Sequence, residues 1–261
     1  MRDRVGHVDV LWITLDTLRY DVAQDAWSAG ETPVLARLLP PAGWEARHTP
    51  GNFTLAAHHA FFSGFWPTPQ GPPPHPRTYA CRFQGSTTIT NETAVFDAAN
   101  VVQGFADRGY HTVCIGGVGF FNLLTPLGEQ LPGYFAERHW SEKLGVTCLD
   151  STAHQVTCAL EVLSRTPGRI LLFVNISALH QPNCGYLPGA TEDSPATMRA
   201  ALRYVDGALA PLFDAFRGRR QTAVIICGDH GTAYGEDGYF GHRHNHPTVT
   251  TVPFMEGWLA A

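Results

Sequence analysis

A chain of 261 residues that is 44% hydrophobic, 16% charged and 11% aromatic carries enough apolar side chain for a substantial core, which excludes a disordered polymer or a minimal disulfide scaffold. With 18 Lys and Arg against 23 Asp and Glu the net charge is -5, and no basic run offers a track for a nucleic-acid backbone. No apolar run approaches the roughly 20 residues that cross a bilayer, so neither nucleic acid nor membrane is expected as a partner.

The N-terminal MRDRVGHVDVLWITLD sets charges beside an apolar stretch too short and interrupted for a signal peptide, with no small-residue cleavage site after it, and the expected location is cytoplasmic. The β-branched run Val8 to Leu15 predicts a buried strand, followed by helices over Pro33 to Leu39, with Pro at an early position, and Leu55 to Phe62. Phe65 to Pro76, containing PTPQGPPPHP, cannot hold regular structure and reads as a surface loop. A helix over Val95 to Arg108 stops before Gly109 and precedes a strand over Thr112 to Ile115. Then come a helix over Thr152 to Leu163, a strand over Ile170 to Ile176, a helix over Ala196 to Phe216 and a strand over Thr222 to Cys227.

Near-continuous apolar strands alternating with helices predict an α/β fold, a mostly parallel central sheet with helices on both faces. Residues 1–261 read as one domain. Cys81, Cys114, Cys148, Cys158, Cys184 and Cys227 show no CxxC pairing and are expected as reduced, buried thiols. In such a fold ligands settle at the carboxyl ends of the strands.

Two strand ends carry chemistry. LWITLDTLRYD delivers Asp16 at the first, and AVIICGDHG delivers Asp229 and His230 at the last, with Gly231 allowing a sharp turn or close backbone approach. Asp16 alone can cap a helix and Asp229 alone can begin a turn; converging, two carboxylates and an imidazole suit a divalent metal. In HTPGNFTLAAHHAFFSG, Thr54 directly precedes a helical apolar run, so its hydroxyl lies at the positive end of that helix. It is an ordinary N-cap or, beside a cation, a nucleophile.

The ordered segments LWITLDTLRYD, ETPVLARL, FTLAAHHAFFSG, GYHTVCIGG and VIICGDHGTAYGEDGYFGH resemble the sulfatase-like branch of the alkaline-phosphatase superfamily over nearly the whole chain. The resemblance implies an alkaline-phosphatase-like sandwich with a metal held by Asp16, Thr54, Asp229 and His230, Thr54 as nucleophile and His242 near the transferred group. Sulfatases need a Cys or Ser that becomes formylglycine; Thr54 cannot, and His58 replaces the supporting arginine of that segment. The implied activity is therefore on phosphoesters, and Thr17 after Asp16 gives one carboxylate fewer than many sulfatases have.

The segment LLFVNISALHQP resembles the strand of this family that ends in a PHxP-like turn, although Leu179 replaces proline there; the resemblance implies that His180 contacts substrate or leaving group, the other reading being a surface or hydrogen-bonded loop histidine. His242, His244 and His246 in HRHNHP would face one side if extended, enough for a second metal site or a solvated loop. Of the adjacent His58 and His59 only one can face the site, and the resemblance favours His58 as substrate-binding. Arg19 either clamps a phosphoryl oxygen or pairs with Asp21. Asp206, inside an amphipathic pattern, is expected to pack or cap rather than bind metal.

The expected function is a metal-dependent hydrolase (Mn, Mg, Ca or Zn) of small anionic phosphodiester, phosphomonoester or phosphonate esters, proceeding through phosphothreonine, with His180 or His242 protonating the leaving oxygen. Alternatives are a phosphoryl or phosphoglycerol-type transferase and a silent anion-binding member. A nucleotide oxidoreductase built on Gly117 and Gly119 lacks the third fingerprint glycine, Asn122 standing in its place. The segment after VPFM is short, so the C-terminal subdomain common in the family is not expected.

Overall fold

Alternation along the first strand sets up the architecture. In a computed structural model, which describes residues 4–64, 79–80, 82–87, 89, 91, 93–95 and 98–260, Leu11, Ile13 and Leu15 enter one core while Val8, Val10 and Trp12 enter another on the opposite face of the sheet. The central sheet has seven strands, β1 (Asp9–Leu15), β2 (Glu45–His48), β3 (His111–Ile115), β4 (Glu137–His139), β5 (Ile170–Ile176), β6 (Thr222–Gly228) and β7 (Thr251–Leu259). Their spatial order is β2-β7-β6-β1-β5-β3-β4. β6, β1, β5, β3 and β4 are mutually parallel, whereas β7 runs antiparallel to both β6 and β2. The α/β fold with a mostly parallel sheet covered on both faces is thus present.

The helices are α1 (Tyr20–Ser28), α2 (Pro33–Ala36), α3 (Thr54–Ser63), α4 (Val101–Ala106), α5 (Ser151–Arg165), α6 (Pro195–Arg217) and α7 (Pro247–Thr250). On one face α1, α5 and α6 bring Val22, Val156, Val205, Leu209 and Phe213 against Ile13, Val174 and Ile226. On the other, α3 and α4 supply Phe62 and Val102 against Trp12, Phe173 and Ala223, and Phe62 meets Trp12 and Phe173 edge-on at 5.5 and 5.2 Å. Gly64, at φ 76°, ends α3 by donating its N–H to the Ala60 carbonyl in a backbone geometry that glycine adopts without strain.

The predicted strands match to within a residue at each end. The predicted helix from Val95 contracts to α4 because the Asn100 side chain accepts the Gln103 N–H and caps a start at Val101. The predicted Pro33 to Leu39 helix shortens to α2. Its start is capped as Asp206 was expected to cap: the carboxylate accepts the Val34 and Leu35 N–H groups at 3.1 and 2.7 Å. Cys114 and Cys227 are buried free thiols as expected, but Cys148, Cys158 and Cys184 are free and only half-buried, because they lie on loops or helix flanks instead of in strands. The Phe65 to Pro76 loop and Cys81 fall outside the described residues. No helix among the described residues is long and apolar enough to cross a membrane.

Candidate active site

The face of the sheet that α3 covers changes from apolar to polar toward the strand ends. On β1 the stripe runs Val10, Trp12, Thr14 and then Asp16 just past the strand; on β5 it runs Leu171, Phe173, Asn175; past β6 it reaches Asp229. Thr14 pairs in register with Asn175 on one side and Cys227 on the other, so these polar side chains arrive at one edge together. α3 crosses that edge with its first residue, Thr54, which is buried.

One ligand atom from each of Asp16, Asp229 and His230 lies within 4.8 Å of the others, and all three residues are buried. Thr54 Oγ1 stands 3.3 Å from His230 Nε2 and 3.5 Å from Asp16 Oδ2. His230 Nδ1 donates to the Gly231 carbonyl at 2.9 Å, which leaves Nε2 as a lone pair facing the cluster. Gly231 is needed there: a Cβ would lie 1.9 Å from the Thr248 carbonyl oxygen, the close approach expected of it.

Thr17 locks the two acids. At φ 67°, a strained backbone for a β-branched residue, it donates its N–H to Asp229 Oδ1 at 3.0 Å and its hydroxyl to Asp16 Oδ1 at 2.8 Å. Thr49 donates its hydroxyl to the Asp229 main-chain carbonyl. Asp229 Oδ2, by contrast, is buried with no hydrogen-bond partner.

Burial and the neighbouring Asp16 charge push the Asp229 carboxyl well above its ordinary value. Burial pushes Asp16 upward too, but His180, His230, the Asn175 hydrogen bond and His58 outweigh it and hold that carboxyl below its usual range. Burial lowers His230, which favours its neutral form. Two buried acids, one oxygen without a partner and an imidazole lone pair make a donor set that fits a divalent cation.

His180 and His242 line the same side of the cluster. The His242 ring lies 4.6 Å from that of His230 and 6.5 Å from that of His180, and burial, followed by those two neighbours, pushes it down to about 4. The HRHNHP stretch is not extended, because Gly241 and Arg243 take φ of 72° and 77°. His244 turns away to stack on Tyr239 at 4.7 Å, and His246 accepts the Thr248 N–H at the start of α7. Neither joins the cluster.

The substrate-binding role expected of His58 meets a different geometry. The ring is fully buried under α3 with both nitrogens engaged, Nδ1 on the Thr54 carbonyl at 2.8 Å and Nε2 on the Thr14 hydroxyl at 3.0 Å, so it has no nitrogen left for a substrate. Arg19 likewise pairs with Asp21, the alternative read from the sequence, and also with Glu236 across the site's edge; two carboxylates occupy the guanidinium instead of a phosphoryl oxygen. Sequence reasoning passed over Thr14, Thr49, Asn175 and Arg243, and noted Thr17 only as a missing carboxylate. Arg243 is exposed, places its guanidinium 5.0 Å from the centre of the Phe53 ring beside Thr54, and pairs with no carboxylate among the described residues. A polar residue inside an apolar strand, as in WIT and FVN, was the available signal for Thr14 and Asn175.

No protein-family model and no curated protein sequence matches the chain. Solved structures do. The integral membrane lipooligosaccharide phosphoethanolamine transferase A (EptA) of Neisseria meningitidis superposes with TM-score 0.65 at 16% identity over 96% of this chain, which spans only 47% of that protein. The C-terminal periplasmic domain of EcEptC from Escherichia coli, in complex with Zn, matches with TM-score 0.62 at 11% identity over 96% of this chain and 72% of that one. A Vibrio parahaemolyticus protein in the alkaline phosphatase superfamily matches with TM-score 0.56 at 16% identity, over 96% and 60%. The expected cytoplasmic location is corrected by these matches, since they run to a periplasmic domain and an integral membrane protein.

Proposed function

We propose that this chain, which carries the fold of the alkaline-phosphatase superfamily, is a divalent-metal-dependent enzyme that moves a phosphoryl-bearing group from an ester onto Thr54 and then to an acceptor hydroxyl. The observation that carries the reading is the meeting of the Thr54 hydroxyl with Asp16, Asp229 and His230 at the N-terminus of α3. Asp16, Asp229 and His230 would hold the cation; when bound, it supplies charge that lowers the proton affinity of the Thr54 hydroxyl and offsets the phosphoryl oxygens.

Thr54 Oγ1 attacks phosphorus in line: the Oγ–P bond forms, the bond to the leaving oxygen breaks, and that oxygen takes a proton. The first-turn N–H groups of α3 face the same anion. In the second half the acceptor hydroxyl gives up its proton, its oxygen bonds phosphorus, and Thr54 leaves and recovers a proton. His180 and His242 are the groups on the side of the cluster from which these protons can be exchanged.

With water as acceptor the enzyme is a hydrolase, the activity expected from the sequence; with an alcohol it is a transferase. The transferase reading is favoured by the fold shared with a phosphoethanolamine transferase, and the same similarity supports a periplasmic or extracellular setting. The test is metal analysis of the purified protein, then turnover of bis(4-nitrophenyl) phosphate by wild type and Thr54→Ala with and without a glycerol acceptor, and of 4-nitrophenyl sulfate as control. A bound divalent cation, turnover lost in Thr54→Ala, and a phosphorylated glycerol product support the reading. A protein that takes up no cation, a fully active Thr54→Ala, or a preference for sulfate overturns it; transfer to water alone, releasing 4-nitrophenyl phosphate, selects the hydrolase.

A further inference from the structure

Beneath the nucleophile four fully buried side chains, His58, Thr14, Asn175 and Asp16, form a continuous line of hydrogen bonds that begins and ends on Thr54. The direction of every link can be derived. The Thr54 carbonyl has no proton to give, so His58 Nδ1, 2.8 Å away, is the donor. Asn175 Nδ2 donates to the Thr14 hydroxyl at 3.2 Å, since its Oδ1 already accepts the Val118 N–H, so the Thr14 proton is directed to His58 Nε2, 3.0 Å away, which is the lone pair of the ring. The other Nδ2 proton goes to Asp16 Oδ2, also at 3.2 Å, and that oxygen faces the Thr54 hydroxyl at 3.5 Å.

Asn175 cannot turn its amide around, because Oδ1 accepts the Val118 N–H at 3.0 Å, while its own carbonyl accepts from Gln155 Nε2 at 2.6 Å. Gly117 packs against it: a Cβ there would come within 2.2 Å of the Asn175 carbonyl oxygen. Phe121 and Phe173 hold the His58 ring edge-on at 5.0 and 5.7 Å, so it has little room to rotate.

We propose that Thr14 and Asn175 are positioning residues for the nucleophile: through His58 they fix the first turn of α3, and through Asp16 they fix the carboxylate that the Thr54 hydroxyl must meet. This rests on the reading of Thr54 as the attacking group. Neither residue touches substrate, so they act on the geometry of attack rather than on binding, where an error of about 1 Å can cost about a hundredfold in rate.

The test uses Thr14→Val, which keeps the branched shape of the strand residue and removes only the hydroxyl, with Thr14→Ser as its conservative rescue and Asn175→Ala as the second variant. With bis(4-nitrophenyl) phosphate, Thr14→Val lowers kcat about tenfold or more while KM stays within about twofold, and Thr14→Ser restores kcat. In metal-free, 15N-labelled protein the unprotonated Nε2 of His58 moves downfield in Thr14→Val, as a lone pair that has lost its donor, and returns in Thr14→Ser. Asn175→Ala weakens Mn(II) affinity, measured by calorimetry, about tenfold or more. An active wild type whose Thr14→Val variant keeps full kcat with an unmoved His58 resonance overturns the inference and leaves the nucleophile reading standing. A wild type that turns over no phosphoester overturns both, and a moved resonance then assigns the line to the fold alone.

Discussion

Thr54 Oγ1 sits 3.3 Å from His230 Nε2, and the residues that prepare this contact each make several bonds, Thr17 to both acids and Asn175 to Thr14 and Asp16. Replacing Thr54 by Ala is expected to lower kcat for a phosphoester by on the order of 10³-fold or more while leaving metal uptake measurable by calorimetry. Gly231→Ala is expected to be harmful by another route. Its Cβ would overlap the Thr248 carbonyl, 1.9 Å away on backbone that cannot swing aside, at a cost of about 1 to 3 kcal/mol in denaturant unfolding. Asp16, Asp229 and His230 stand out in the sequence because their types are unusual at the ends of buried strands, whereas Thr54 reads locally as an ordinary N-cap and is singled out by the family resemblance. Thr14 and Asn175 were hidden in apolar runs that signal only a buried strand; which face they take is fixed by register with their neighbours. The roles expected of His58 and Arg19 differ from their geometry for a similar reason: a motif gives the residue, while the partners that occupy its nitrogens come from distant segments such as Thr14 and Glu236.

Elements are held in place by buried polar clamps. Asp206 of α6 satisfies two N–H groups of α2, so Asp206→Ala is expected to destabilise by about 1 to 3 kcal/mol, read as a lower denaturant midpoint. At the far edge of the sheet, Glu137 of β4 pairs with Arg165 of α5, His111 of β3 and His139. Burial raises its carboxyl, but the hydrogen bonds from Arg165, His111 and His139 prevail and hold it at about 2, against an ordinary 4.5. A depressed carboxyl gives stability that is complete above the unfolded value and is lost as pH falls from about 4.5 toward 2. Glu137→Gln is therefore expected to lower thermal stability at pH 7 and to flatten its decline over that acid range. Sequence patterns found β1, β3, β5 and β6, since continuous β-branched runs mark them, but not β2 and β4, whose charged EARH and ERH carry no such run. They missed β7, whose Pro253 and Gly257 suppress a strand signal. Pro253 is tolerated because it pairs only with β2, before the β6 pairing begins at Phe254. α1 was missed as well: Arg19 makes no side-chain cap, and nothing marks its start.

At the scale of the molecule, the sheet, the α3 crossing and the loop after β6 together bury the two carboxylates Asp16 and Asp229. Asp16 and Asp229 lie side by side out of water, so the metal-free protein carries a repulsion that a bound cation removes. Chelation is thus expected to lower Tm, and restoring a divalent cation at about 100 times its Kd is expected to return about 2.7 kcal/mol of stability. Asp229→Asn should reverse sign with the metal: it raises Tm in chelator, where it removes the repulsion, and lowers Tm relative to wild type when the cation is present. Fold class was readable from the alternation of strands and helices, because that alternation is a property of local sequence. The setting of the protein was not, because the N-terminal residues inform only on a signal at that point and the matching solved proteins include a periplasmic domain. The measurement that bears most directly on the whole account is rapid acid quench of metal-loaded protein with bis(4-nitrophenyl) phosphate, followed by peptide mass spectrometry. The account predicts a 4-nitrophenylphosphoryl adduct on Thr54, absent in Thr54→Ala; turnover with an unmodified Thr54, or an adduct on another residue, would contradict it.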